Sequence, residues 1–108
     1  MILKYFYVYL LSVRLGGLRL AKVVVSLKIF PADINISLEE LREKVKSALP
    51  SYASIYKFEE EPIAFGLVAL IAHVVLPENK AGGVDEVEKS IQNLKDVSDI
   101  QTIMVRRV

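Results

Sequence analysis

Gly66-Leu67-Val68-Ala69-Leu70-Ile71-Ala72-His73-Val74-Val75-Leu76 is the stretch that decides the fold. Apart from Gly66 and His73 it is continuously apolar, and four of its residues are β-branched. A short run apolar on both alternating faces, bounded by Gly66 and by Pro77, is the pattern of a strand covered on both sides, so it is expected at the centre of a sheet. Towards the N-terminus, Pro62 to Phe65 forms a connection. Before it, Tyr52 to Glu60 reads as a second, weaker strand that ends in the acidic run Glu59-Glu60-Glu61. Ser37 followed three residues later by Glu40 has the form of a capping box, and Leu38, Leu41, Val45 and Leu49 recur at helical spacing until Pro50 stops the helix. Ahead of that helix, Lys22 to Phe30 alternates Val23, Val25, Leu27 and Ile29 on one face with Val24, Ser26 and Lys28 on the other.

Towards the C-terminus, Pro77 to Gly83 is a loop and Val84 to Leu94 a helix with Val84, Val87, Ile91 and Leu94 on one stripe. Its acidic start, Asp85 and Glu86, suits the positive end of the helix dipole. Ser98 to Val105 reads as a last strand before Arg106-Arg107-Val108. The order β-α-β-β-α-β predicts an α+β fold of the ferredoxin-like kind, a two-layer sandwich with a four-stranded antiparallel sheet and two helices on one face.

The chain has 108 residues, enough for one domain with one modest core. Apolar residues make up 53% and charged residues 25%, which is a globular composition. The formal net charge of +1 gives no electrostatic reason to expect nucleic-acid binding. With no cysteine and a single histidine, thiolate nucleophiles, disulfides, CxxC metal carriers and multi-histidine metal sites are all ruled out, and no metal or cofactor is expected.

Residues 1–20, MILKYFYVYLLSVRLGGLRL, contain no acid and are interrupted by Arg14, Gly16, Gly17 and Arg19, so they make a poor membrane span. No small-x-small cleavage site follows cleanly, as a signal peptide would need. Two readings remain open for this N-terminal extension: an extra β-strand, or upstream sequence outside the native protein. The compact domain is expected over residues 21–108.

The fold hosts many functions. An RNA-recognition module needs stacking aromatics on its central strands, and Lys22 to Phe30 and Gly66 to Leu76 offer only Phe30, at an end. Gly82-Gly83 is followed by Val84 and Asp85, so no phosphate loop exists. His73 shares a face with Leu67, Ala69, Ile71 and Val75, which supplies no proton-relay partner, and it is expected as a histidine on the open sheet face. Glu59 to Glu61 are expected as a solvated strand end in preference to a cation site. Arg106 and Arg107 either meet an acidic or phosphorylated surface or simply solubilise the terminus. No residue is assigned a catalytic role.

One string is more specific. Glu59-Glu60-Glu61-Pro62-Ile63-Ala64-Phe65-Gly66-Leu67, followed by the apolar strand, a Gly-Gly loop and an acidic helix start, resembles archaeal elongation factor 1-beta, as do Val25-Ser26-Leu27-Lys28 and the helix end Ala48-Leu49-Pro50. The similarity runs from about Val23 to Arg107, and residues 1 to about 20 lie outside it. It implies a cytoplasmic protein of translation, with no membrane and no direct nucleic-acid role. Such a factor promotes exchange of GDP for GTP on the GTPase elongation factor 1-alpha by binding its nucleotide-free state, and forms no covalent bond. It further implies that Pro62, Ile63, Ala64, Phe65 and Gly66 meet the partner, with Phe65 inserted near the nucleotide site. Held between connection residues, Phe65 reads either as such an anchor or as a local core plug. Eukaryotic relatives carry a Lys next to the C-terminus. This chain has Arg106 and Arg107 there, and either takes that place only if the strand end shifts by a residue. A reading from another class is a stand-alone ligand-binding regulatory module of the same fold, without a GTPase partner.

Overall fold

The computed structural model describes residues 21–108, so both readings of the N-terminal extension lie outside the described residues. Six elements follow in the expected order: β1 (Lys22–Pro31), α1 (Leu38–Ala48), β2 (Ser54–Pro62), β3 (Val68–Pro77), α2 (Gly83–Gln92) and β4 (Val97–Arg107). The sheet order is β2-β3-β1-β4 with every neighbouring pair antiparallel, which is the ferredoxin-like topology. β3, the strand read first, lies inside the sheet between β2 and β1.

Strand alternation divides β1 as the sequence does. Val23, Val25, Leu27 and Ile29 face the helices and join Leu41, Val45, Leu70, Ala72, Val74, Leu76, Val87 and Ile91 in one core. Each fully buried Leu or Ile there contributes about 1.5–3 kcal/mol relative to exposure. Ser37 caps α1 by accepting from the Glu40 N–H at 3.4 Å.

Element boundaries differ from the sequence reading by one or two residues, and three of the differences have local causes or consequences. β2 begins at Ser54 rather than Tyr52, because the Ala53 N–H donates to the Pro50 carbonyl at 3.0 Å and spends residues 50–53 on a turn. β4 runs from Val97 to Arg107, further in both directions than expected. α2 begins at Gly83, its N-cap Gly82 holding φ 73°, where a side chain would be strained.

Register shifts lie between Ile55 and Lys57 on β2 and between Ser26 and Leu27 on β1, opposite Met104 and Thr102. The residues left over, Tyr56 and Ile103, are exposed large apolar side chains, as expected where an extra residue has no partner across the ladder.

Candidate partner-binding surface

β2 and β3 are joined by a tight turn. The Ile63 N–H donates to the Leu67 carbonyl at 2.8 Å, and the Leu67 N–H donates to the Ala64 carbonyl at 2.9 Å. The two central residues, Phe65 and Gly66, have φ of 55° and 81°. Positive φ at both is the type I′ pattern, which ordinarily selects Asn, Asp or Gly because a larger Cβ crowds the backbone. A Cβ on Gly66 would meet no atom within 4 Å, so the glycine is there for its dihedral and not for space.

Phe65 has no such excuse. It takes the left-handed conformation at a cost of about 1–2 kcal/mol and holds its ring in water, 99% exposed. Among the described residues nothing packs on it, and at 99% exposure it is no core plug. A residue that opposes folding on both counts marks this turn as a candidate functional position.

The other predicted contacts lie at the opposite end of the sheet. β3 spans 10 residues from beside this turn to the end where β4 finishes, about 30 Å of strand. The structure therefore does not bring Pro62–Gly66 together with Arg106 and Arg107. The two arginines also part from each other. Arg107 is level with Val23 on the helix side, and its Nε donates to both Glu78 carboxylate oxygens at 2.9 Å. The Glu78 side chain is 1% exposed. The Val108 N–H donates to the Lys22 carbonyl and the Glu78 N–H to the Ala21 carbonyl, both at 2.9 Å, so this end is fastened from both sides. Arg106, level with Val24 on the face away from the helices, is exposed and has no partner among the described residues. Nearby, the Tyr52 hydroxyl donates to Glu86, and the Lys80 ammonium lies 4.9 Å from the Tyr52 ring centre. Burial, and then Glu86, push the Tyr52 hydroxyl above its ordinary range.

The sheet face away from the helices, where Val24, Ser26 and Ala69 are buried, corrects the reading of His73. Its own strand supplies no relay partner, but the neighbouring strands do. Ser26 on β1 lies 2.7 Å from His73 Nδ1, and Glu59 on β2 lies 3.1 Å from Nε2. Glu59 also pairs with Lys57 at 3.1 Å. Lys57 and then His73 hold the Glu59 carboxyl below the usual carboxylate range. Sequence alternation alone could not find this chain of contacts, because it depends on the register that sets Ser26 and Lys57 beside His73.

A Ser–His–Glu chain has the order of a nucleophilic relay, but Ser26 is 6% exposed in the middle of a strand paired on both sides. Backbone donors there are spent on the ladders, leaving none aimed at an oxyanion. The acidic run is also dispersed by alternation: Glu59 goes to Lys57 and His73, Glu60 to Arg42 of α1, and Glu61 to Lys28 at 3.1 Å. Among the described residues no group of three His, Cys, Asp or Glu side chains gathers to hold a metal, and no helix is long and apolar enough to cross a membrane.

Comparison with known proteins agrees with this geometry. The model of the EF-1 guanine nucleotide exchange domain matches residues 24–108. Elongation factor 1-beta of Staphylothermus marinus is 45% identical over 89 residues, covering 82% of this chain and 99% of the relative. Elongation factor 1-beta of Sulfolobus acidocaldarius is 42% identical over 86 residues, covering 80% and 96%. That of Hyperthermus butylicus is 39% identical over 89 residues, covering 82% and 97%. On these matches, together with the β-α-β-β-α-β sheet that carries them, the chain belongs to the EF-1 guanine nucleotide exchange domain family, alongside the archaeal elongation factors 1-beta.

Proposed function

We propose that this protein serves translation elongation by accelerating the exchange of GDP for GTP on elongation factor 1-alpha, and that it does so by binding, without forming a covalent bond. The observation that carries this reading is Phe65, held 99% exposed at positive φ on a two-residue turn, within a chain whose family model is an exchange domain. A rigid exposed aromatic is the kind of residue that dominates a protein–protein contact once a pocket closes over it.

Exchange requires that the factor bind the nucleotide-free GTPase more tightly than the GDP-bound form. By linkage, GDP must then weaken the factor's binding by the same ratio. GTPases hold nucleotide through phosphate-loop amides and a bridging magnesium ion, so a side chain wedged near either loosens it. Phe65 is the wedge, held by Pro62, Ile63, Ala64 and Gly66. At the far end Arg106 is a cation without a partner among the described residues, and it meets the partner, while Arg107 serves the fold through Glu78. An arginine is a poor substitute for lysine at a compact magnesium site. The reading therefore rests on the wedge and assigns Arg106 to charge pairing on the partner's surface.

The test is release of a fluorescent GDP analogue from elongation factor 1-alpha of a closely related archaeon, with and without this protein. Acceleration that saturates with factor concentration, together with tighter binding to the nucleotide-free than to the GDP-bound partner, is expected. A folded protein that leaves release unchanged sinks the exchange reading, and thermal stabilisation by a small molecule would then favour a ligand-binding regulatory module.

A further inference from the structure

The loop between β1 and α1 builds a second turn. The Ile36 N–H donates to the Asp33 carbonyl at 3.4 Å, and the Asn35 N–H donates to the Asp33 carboxylate at 2.7 Å. Asp33 and Asn35 are the residues such a turn selects, since a short polar side chain can bond the backbone two residues on. Ile34 between them is not. It occupies the second position of the turn, 62% exposed, while Ile36 turns inward to the core.

Sheet register places this turn beside the first one. Ile29 of β1 and Glu60 of β2 are both level with Leu70 of β3, so Pro31 and Pro62 leave the sheet at the same end. β1 and β2 flank β3 and are about 10 Å apart. Ile34 leaves β1, and Ile63 (43% exposed) and Phe65 leave β2, within three residues of those prolines. The opposite end carries Glu78, Lys80, Arg106 and Arg107, with Val108 as its exposed apolar residue. Scattered single apolar residues on a surface need no explanation, but three follow strand ends at this one end of the sheet, two of them at the second position of hydrogen-bonded turns.

We propose that Ile34 is a second apolar contact for the GTPase, so that the partner receives this end of the sheet in an apolar-lined cleft spanning both turns. This rests on the exchange-factor reading. Phe65 supplies the wedge and Ile34 supplies affinity, because Ile34 sits on the other loop, about two strand spacings from the hairpin.

The experiment measures catalysed release of the fluorescent GDP analogue against factor concentration for wild type, Ile34→Asn, Ile34→Leu and Phe65→Ala, with the melting temperature of each. Asparagine keeps the turn chemistry and removes the apolar surface, whereas leucine keeps the surface. Ile34→Asn is expected to raise the concentration for half-maximal acceleration about fivefold with the maximal rate and Tm unchanged, and Ile34→Leu to stay within twofold of wild type. An Ile34→Asn protein that matches wild type, while Phe65→Ala is impaired, overturns this inference and leaves the exchange reading standing. A lowered Tm in Ile34→Asn, or an equal loss in Ile34→Leu, overturns it too, since Ile34 would then serve the fold or the turn. No acceleration by wild type removes the exchange reading and this contact with it.

Discussion

The two ends of the sheet are built on opposite principles. At the C-terminal end of β4, Arg107 spends its charge on the buried Glu78 carboxylate, and the neighbouring backbone groups of Glu78 and Val108 bond back to residues 21 and 22. Each such contact satisfies a polar group that the fold has buried or fixed. At the β2–β3 turn, Phe65 gains nothing from the chain that carries it and pays a dihedral cost to stay exposed. The difference separates two residues that look equally functional in sequence: Arg107 is explained by the fold, whereas Phe65 is not, and the partner contact proposed above is the account offered for it.

The largest expected effect tests the fastened end. Glu78→Ala leaves the Arg107 guanidinium without its counter-charge. Because Arg107 is one-third exposed, the loss is smaller than for a fully buried pair, about 2 kcal/mol, or roughly 10 °C in Tm. Thermal unfolding measures it, and an unchanged Tm would mean the pair does not fasten this end. Phe65→Ala gives the mirror result. Catalysed GDP release should slow about tenfold, equivalent to about 1.4 kcal/mol, with Tm held or slightly raised. A fall in Tm without a change in release would reverse the assignment of the two ends.

Gly66→Ala sharpens the comparison further. No atom blocks the new methyl group, so the whole effect is the positive φ, about 1 kcal/mol of stability. The mutation leaves the Phe65 ring in place, so any loss of exchange beyond the stability change reports how closely the turn must hold it. An exchange rate that follows only the folded fraction would show that the turn's geometry adds nothing to the wedge.

Much of this was legible in the sequence, for identifiable reasons. The apolar run through Leu70 and Val74, and the committed face of Val23, Val25, Leu27 and Ile29, encode burial directly, and burial sets the sheet. The string around Pro62–Gly66 pointed to the turn, and the structure added that Phe65 is exposed and strained, which no pattern of residue types shows. The division of Arg106 from Arg107 follows from strand alternation once β4 is known to continue to Arg107, two residues beyond the predicted end. The partners of His73 were out of reach because they come from two other strands, and which residues face each other across a ladder is set by register and by the bulge at Tyr56. Ile34 was passed over because a loop isoleucine carries no periodic signal; only the Asp33 turn and the end of the sheet it shares with Phe65 give it meaning.

The smallest effect concerns the sheet face away from the helices, which belongs with the fastened region in serving the fold. Glu59 is held below the ordinary carboxylate value of 4.5, first by Lys57 and then by His73. A carboxyl with a depressed folded value binds fewer protons folded than unfolded, so its contribution to stability is complete above about pH 4.5 and is lost as pH falls through the folded value. Glu59 is exposed, so solvent screening keeps the contribution small. Thermal unfolding of wild type and Glu59→Gln between pH 3 and 6 should show wild type ahead at pH 6 and the two converging on acidification. Lys57→Met should remove most of the difference, because Lys57 is the larger cause. If instead the gap persists at pH 3, the stabilisation does not come from the Glu59 charge. The chain from Lys57 to Ser26 would then be a polar seam whose worth is independent of Glu59 ionisation, and added salt should leave it intact.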